Sequence, residues 1–153
     1  KVFWPEFKGR DGCRTPMAWD ADKPNAGFSS ANRTWLPVAV DHPASAAIKG
    51  REENPETLLE DYRRFIRLRH AHDALRIGSI RIEESPGDIL VFTRQHGTES
   101  ILCVFNFALS EVRLPVPEGV EARSLAEAGA RLEGRDIILE GNGAIYLTVT
   151  EGN

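Results

Sequence analysis

The first fifty residues constrain the fold most, because they are rich in proline and tryptophan and show neither helical nor strand periodicity. All three tryptophans and five of the nine prolines precede residue 50. A run without regular structure is already long at about 12–15 residues, and this one is too aromatic to be disordered in water. We therefore expect a long surface loop that packs on a body outside this chain. Residues 1–77 are not expected to fold alone.

Charge and composition exclude several classes of protein. The net charge of -4 gives no electrostatic support for a nucleic-acid partner. No apolar run approaches the roughly 18 residues of a membrane helix, and the start at Lys1 resembles neither a signal peptide nor a transit peptide. Cys13 and Cys103 lie in unlike contexts, which favours a reducing compartment over a disulfide framework. We expect a cytoplasmic protein without membrane or nucleic-acid partners.

One amphipathic helix is predicted over residues 54–76. Asn54 is a suitable N-cap, Pro55 suits the first helical position, and Gly78 suits the end. Apolar side chains then follow i, i+3, i+4 spacing through about residue 70. Four arginines in the later turns are expected to be solvated or ion-paired: Arg63, Arg64, Arg67 and Arg69.

From Ser79 the pattern changes to short strands separated by glycine and proline. Ile80 and Ile82 alternate with Arg81 and Glu83, and strands are expected at 79–83, 89–94, 100–107, 112–114, 137–139 and 144–149. The connections are too short for parallel crossovers. Residues 78–153 therefore predict an antiparallel all-β sandwich.

The densest set of chemically capable side chains is Gly-Arg-Asp-Gly-Cys-Arg-Thr-Pro-Met-Ala-Trp-Asp at residues 9–20. Arginine forms bidentate hydrogen bonds with neighbouring oxygens, and an indole face suits the C–H face of a sugar ring. From the residues alone, a solvated loop with local ion pairs is the commoner explanation of such a segment.

This segment resembles the α-glucosidases and oligo-1,6-glucosidases of glycoside hydrolase family 13. The resemblance continues through Asn-Ala-Gly-Phe at 25–28, Trp-Leu-Pro-Val at 35–38 and the leading Phe-Trp-Pro-Glu-Phe at 3–7. Residues 58–69 resemble the last helix of the family's barrel, and Val-Phe-Asn-Phe at 104–107 resembles a strand of its C-terminal domain.

The resemblance implies an α+β fragment: the end of a (β/α)8 barrel followed by a Greek-key-like antiparallel β-sandwich. Residues 1–53 would be the loop after the eighth barrel strand and residues 54–76 the eighth helix. Together, residues 1–77 would end the catalytic barrel, and residues 78–153 would form the C-terminal domain.

The resemblance also implies which active-site residues belong to this chain and which belong to the barrel upstream of it. The family's retaining mechanism uses two carboxylic residues and a further Asp, which come from earlier barrel strands, so no catalytic residue is expected within this chain. Arg14 is expected to hold the 4-hydroxyl of the nonreducing glucose, with Arg10 as the runner-up. Trp4 and Glu6 are placed on the aglycone side. No cofactor or metal is expected, and the implied partners are the upstream barrel and an α-glucoside.

Two other functions remain open at this stage. Residues 78–153 could be a self-standing carbohydrate-binding module, but Phe92, Phe105, Phe107 and Tyr146 occupy strand positions that look inward-facing. They could also be purely structural and dock on the barrel. Related transglucosidases and sucrose isomerases share much of the loop, so transfer competes with hydrolysis.

Overall fold

The computed structural model describes residues 10–38, 47–49 and 57–151. The chain divides into two compact units, residues 1–65 and 66–153. In the first unit, the described residues before 57 contain two short 3₁₀ turns, Asp11–Cys13 and Pro24–Gly27. The prediction of an irregular loop is confirmed for the described part of residues 1–53.

The predicted single helix is two helices, α1 (Leu58–Ala71) and α2 (Asp73–Ile77). His72 has extended backbone angles (φ -124°, ψ 112°) and separates them. Across this break, both oxygens of the Glu99 carboxylate are used: one lies 2.6 Å from His72 Nδ1 and the other accepts the Ala74 N–H at 2.8 Å. The second bond satisfies a backbone N–H in the first turn of α2 that has no partner within the helix, which explains why a new helix begins there. The predicted capping residues 54–56 lie outside the described residues.

Helix α1 has an apolar stripe of which several side chains stay exposed. Leu58, Tyr62 and Ile66 are exposed at 73%, 67% and 47%. The polar side carries ion pairs from Arg63 to Glu60 and Arg64 to Asp61, as predicted for these arginines. An amphipathic helix gains most of its stability by packing its apolar face, so α1 has the character of a helix that belongs to a larger body.

Six strands in the described residues form one sheet, and their pairing is antiparallel, as predicted. All six strands join in this one sheet, where a sandwich of two sheets was expected. Strands β1, β2 and β3 are neighbours in that order, and β3 pairs with the second half of β6. Strand β4 pairs with the first half of β6, and β5 pairs with both halves along the opposite edge. Their bounds are β1 Ser79–Glu83, β2 Ile89–His96, β3 Glu99–Asn106, β4 Val112–Pro115, β5 Val120–Glu133 and β6 Asp136–Glu151. Residues 137–139 and 144–149, expected as separate strands, are two parts of the long β6. The sequence pattern did not predict β5, which is rich in alanine, glutamate and arginine.

The two faces of β3 line two separate hydrophobic clusters, because strand residues alternate between faces. Leu102 and Val104 join the inner core, which also collects side chains from both parts of β6: Ile137, Leu139, Ile145 and Leu147. Ile101 and Cys103 face the other way and pack with Ala74 and Leu75 of α2. The sheet therefore curls around one core, while α2 covers part of its outer face.

A buried asparagine ties the end of β3 to β6 and to the loop that follows β3. Asn106 is 1% exposed, and its Nδ2 donates to the carbonyls of Ser110 (2.8 Å) and Glu140 (2.9 Å). Its Oδ1 accepts the Ala108 N–H at 2.9 Å. The same region of β6 faces a β-bulge in β5 at Gly129, whose φ is +57°. The Val-Phe-Asn-Phe motif thus supplies a polar clamp inside an apolar domain.

Candidate functional site

The two arginines predicted to bind substrate flank the first 3₁₀ turn. The Cys13 N–H donates to the Arg10 carbonyl at 3.2 Å, and the Arg14 N–H donates to the Asp11 carbonyl at 3.0 Å. Both arginine side chains are exposed. Neither guanidinium forms an ion pair with a residue in 10–38, 47–49 or 57–151. The turn therefore presents two cations whose hydrogen-bonding groups face solvent.

The segment after Arg14 is anchored. Pro16, Ala18 and Asp20 are buried. The N–H groups of Trp19 and Asp20 both donate to the Ala26 carbonyl, at 2.9 and 3.0 Å. The carbonyls of residues 18 and 19 accept the N–H groups of residues 48 and 49, at 3.2 and 3.0 Å. Arg14 is thus followed by backbone that is fixed on two sides.

Asp20 is the electrostatic centre of this anchor. Its Oδ2 accepts a hydrogen bond from Lys49 Nζ at 3.0 Å, and its Oδ1 accepts the Asp22 N–H at 3.2 Å. The Lys49 hydrogen bond lowers the pKa of the Asp20 carboxyl, since it favours the ionised form. Asp20 in turn raises the pKa of the Lys49 ammonium. This carboxylate is engaged in holding the loop together.

The Asn-Ala-Gly stretch shapes the turn that receives Trp19 and Asp20. Asn25, Ala26 and Gly27 have φ values of +52°, +52° and +72°. Such angles suit glycine and are uncommon for a residue like alanine. A Cβ on Gly27 would lie 3.0 Å from the Asp20 nitrogen. The Asn25 amide donates to the carbonyls of Ser29 (3.1 Å) and Ala31 (2.6 Å), which closes the turn.

Sequence reasoning missed the structural roles of Asp20, Lys49 and Asn25. The pattern Asn-Ala-Gly signals an unusual turn, so Asn25 could have been found. The Lys49 contact could not, because 29 residues separate it from Asp20.

The aromatic candidates divide between described and undescribed residues. Trp4 and Glu6 lie outside the described residues. Trp19 is 49% exposed and Trp35 is 98% exposed. In the β-domain, the expectation that Phe107 faces inward is wrong. It follows the last residue of β3, beyond the cover that α2 gives to the outer face, and is 62% exposed. Phe92, Phe105 and Tyr146 are partly buried against the cluster that α2 covers.

The described residues contain no cluster of three or more His, Cys, Asp or Glu side chains arranged to hold a metal ion. No helix among them is long and apolar enough to span a bilayer. Cys13 is exposed, and its thiol lies 3.1 Å from the Arg10 carbonyl. Burial raises the pKa of the Cys103 thiol to about 12, so this thiol is unreactive.

Comparison with known families gives the class of protein. The alpha-amylase family model (Alpha amylase, catalytic domain) matches residues 2–78, which is half of the chain. A second model (Maltogenic Amylase, C-terminal domain) matches residues 81–133. The chain belongs to the alpha-amylase family, glycoside hydrolase family 13, as the resemblance predicted.

Curated relatives carry glucosidase names. A probable alpha-glucosidase of Rhizobium meliloti (strain 1021) is 48% identical over 107 residues, which cover 69% of this chain and 19% of the relative. An oligo-1,6-glucosidase of Parageobacillus thermoglucosidasius is 36% identical over 104 residues, covering 67% and 18%. The chain therefore spans about a fifth of the length of these relatives.

Solved structures confirm the fold class, a barrel end followed by a C-terminal β-domain. The alpha-glucosyl transfer enzyme XgtA superposes with a TM-score of 0.81 at 35% identity, covering 97% of this chain and 28% of XgtA. The trehalulose synthase MutB from Pseudomonas mesoacidophila MX-45 gives a TM-score of 0.79 at 28% identity, covering 93% and 26%.

Proposed function

We propose that this chain is the C-terminal part of a retaining α-glucosidase that removes glucose from the nonreducing end of α-linked oligosaccharides or sucrose-like glucosides. The observation that carries the proposal is the exposed Arg14 on an anchored loop, within a chain whose curated relatives are named alpha-glucosidase and oligo-1,6-glucosidase. The whole enzyme would be the catalyst, and this part would complete its glucose pocket.

In the proposed pocket, Arg14 binds and orients the terminal sugar. A guanidinium presents planar, always-charged N–H donors, which match paired hydroxyl and carboxylate oxygens. Arg14 would donate to the 4-hydroxyl of the nonreducing glucose and pair with an Asp from another loop of the barrel. This pair would close the pocket beyond the 4-hydroxyl, so that only the terminal glucose of an oligosaccharide could be cleaved off. Arg10 is the alternative candidate for this contact, and Trp4 and Glu6 are proposed to line the aglycone side.

Bond cleavage is assigned to carboxylic residues elsewhere in the enzyme. Retaining hydrolysis uses a nucleophilic carboxylate and an acid/base carboxyl about 5–5.5 Å apart. The engagement of Asp20 with Lys49 supports a structural role for that carboxylate. We propose the division at 77/78, with residues 1–77 ending the barrel and 78–153 forming the C-terminal domain. The family-model boundaries at 78 and 81 support this division.

The reducing interior of the cell is the proposed location. An exposed Cys13 and a buried Cys103, both free, support it. Outside the cell, exposed thiols are prone to oxidation.

The complete enzyme tests this function directly. The protein that contains this chain should release glucose from maltose, isomaltose or sucrose with retained anomeric configuration, observed by proton NMR. Failure to act on any α-glucoside would contradict the proposal. The names of XgtA and MutB favour transfer as the second candidate, so products should be separated as free glucose and new disaccharides. If new disaccharides were the main products, the proposed function would be transglucosidase instead of hydrolase.

The same protein expressed as residues 1–153 alone should be inactive, because it would lack the catalytic carboxylates. Residues 78–153 are expected not to bind maltose in a calorimetric titration. Measurable maltose binding by that piece would favour a carbohydrate-binding module instead.

A further inference from the structure

Within the described residues, strands β1, β4 and β5 each pair with a single neighbour and so have a free edge. A free edge is a template for pairing with another strand, and proteins commonly block it with proline or with a β-bulge. Strand β4 ends at Pro115, and Pro117 follows it closely. Strand β5 has two register shifts, at 124/126 and at 128/130. Strand β1 has neither device, so of these three edges it is the one open to a further strand.

Strand β1 is also built to pair. Its sequence, Ser-Ile-Arg-Ile-Glu, keeps an unbroken register with β2 along its whole length. Both of its isoleucines are β-branched residues that favour strands. Ile80 and Ile82 lie on one face of β1, at 58% and 62% exposure. Covering these side chains with a second strand would remove apolar surface from water and so stabilise the contact.

The opposite face of β1 carries one charge of each sign. Arg81 Nη2 lies 2.9 Å from Glu83 Oε1, and the two side chains are 75% and 27% exposed. The same Glu83 oxygen accepts a hydrogen bond from the Thr93 hydroxyl at 2.7 Å, which fixes its position. A single charge on an edge strand opposes pairing. Two opposite charges at positions i and i+2 instead select a register, because an identical strand that runs the other way can match them.

This charge pattern indicates which strand fits the edge. Antiparallel pairing of two β1 strands about Ile82 places Arg81 of each copy opposite Glu83 of the other, so both cross-strand pairs are attractive. Ile82 then meets Ile82 of the second copy, and Ile80 reaches the same residue on the diagonal. Pairing about Arg81 would instead place two arginines opposite each other, which is destabilising. The complementarity of β1 with itself therefore favours a second copy of this chain as the occupant.

We propose that β1 pairs antiparallel with β1 of a second copy, centred on Ile82, and forms a dimer with two-fold symmetry. The two sheets become one continuous sheet across the symmetry axis. A short edge strand buries little area, so this dimer is weak and its population depends on protein concentration. The proposal concerns the edge of the β-domain and does not depend on the proposed catalytic function.

Disulfide cross-linking in the full-length enzyme that contains this chain tests the register. Ile82→Cys is introduced together with Cys13→Ser, and the cross-linked peptide is identified by mass spectrometry after mild oxidation. Directly opposite residues of paired strands have Cα atoms about 4.5–5.5 Å apart, which a disulfide spans. Ile80→Cys is the matched control, because it has the same residue type, face and similar exposure. In the proposed register it lies opposite Glu84, more than about 10 Å from its own counterpart.

Ile82→Cys should form the covalent dimer at least about tenfold faster than Ile80→Cys, because only the first thiol meets its counterpart. Equal rates at the two positions would overturn the proposal, since they would report random collision. A faster reaction at position 80, or no covalent dimer at either position, would overturn it as well.

Charge exchange provides an independent test by sedimentation velocity. Arg81→Glu or Glu83→Arg alone places like charges opposite each other, so each should raise the dimer Kd at least about tenfold. An equimolar mixture of the two variants should associate again, because every cross-strand pair is then attractive. Glu118→Arg, at an exposed position in the turn between β4 and β5, is the control and should leave the Kd unchanged.

Three results in this second test would overturn the proposal: a wild-type enzyme that stays monomeric at high micromolar concentration, dimers that persist in both charge variants, or a mixture that does not associate. If circular dichroism shows that a charge variant is unfolded, the cysteine pair decides. A monomeric enzyme that cleaves α-glucosides contradicts the dimer alone, and a dimer without glucosidase activity contradicts the proposed function alone.

Discussion

Lys49 Nζ lies 3.0 Å from Asp20 Oδ2, and this ion pair joins two segments that are 29 residues apart in sequence. Asp20 is buried, and it sits six residues beyond Arg14 in an anchored part of the loop. The pair therefore fixes the base of the segment that carries Arg14, the residue proposed to bind glucose.

Asp20→Asn should impair substrate binding in the complete enzyme without removing a group that touches substrate. The amide keeps the shape but loses the charge that attracts Lys49. We expect kcat/KM to fall roughly tenfold, mainly through KM, because small misplacements of a binding group are costly. Asp22→Asn is the matched control: Asp22 lies 3.6 Å from Lys49, but its side chain is 88% exposed. Steady-state kinetics with equal losses in both variants would contradict a special role for Asp20.

Glu99 should make the link between the helices and the sheet dependent on pH. The Ala74 N–H, followed by His72, lowers the pKa of the Glu99 carboxyl below its ordinary value. Because the folded pKa is depressed, the stabilisation is present above the ordinary glutamate pKa and is lost as pH falls through the lowered folded value. Thermal unfolding of wild type and Glu99→Gln should therefore differ near pH 7 and converge in acid. A constant difference between pH 7 and pH 3 would contradict this interpretation, and Glu118→Gln serves as the exposed control.

Replacing the buried Asn106 by alanine should destabilise the β-domain by about 2–4 kcal/mol. The carbonyls of Ser110 and Glu140 and the N–H of Ala108 would lose their partner inside the domain. Urea unfolding measures the change. Thr98→Ala, at the exposed tip of the β2–β3 hairpin, should cost less than about 0.5 kcal/mol. A similar decrease in the free energy of unfolding for both variants would contradict a stabilising role for the Asn106 hydrogen bonds.

A side chain at position 78 should destabilise the fold, because there is no space for it beside α2 and β2. Its φ of -66° suits any residue, but a Cβ would contact the Ala74 carbonyl and lie 2.6 Å from the Gln95 carbonyl. Gly78→Asn should lower stability by about 1–3 kcal/mol by pushing α2 from the sheet. Gly87→Asn is the same substitution at a turn with φ +53° and open space, where asparagine is tolerated. Thermal unfolding midpoints should fall for the first variant and stay nearly unchanged for the second.

Local sequence signals predicted the parts of the fold that depend on nearby residues. The alternation at 79–83 and 89–94 matches β1 and most of β2, and Gly78 ends the helical region as expected. The break at His72 was not predictable, because Glu99, which stabilises it, comes from the β2–β3 hairpin. Strand β5 was missed since its residues favour helix, and its pairing with β6 overrides that preference.

The candidate site shows the same division between local and distant information. The motif singled out Arg14 and Arg10 as chemically capable groups, and the structure places both, exposed, beside one turn. The Lys49 contact with Asp20 depends on chain folding over tens of residues, so no local pattern could indicate it. The roles of Trp4 and Glu6 stay predictions.

Kinetics of Arg14 variants in the complete enzyme test the central claim most directly. Arg14→Ala should lower kcat/KM for a terminal α-glucoside by about two to three orders of magnitude or more, since it removes charge-assisted hydrogen bonds to the sugar. Arg14→Lys should recover only a part of the loss, because lysine cannot form the paired contact. Arg10→Ala is expected to have a much smaller effect. Near-wild-type turnover by Arg14→Ala, with the loss appearing in Arg10→Ala instead or in neither variant, would contradict the assignment of Arg14 to the glucose pocket.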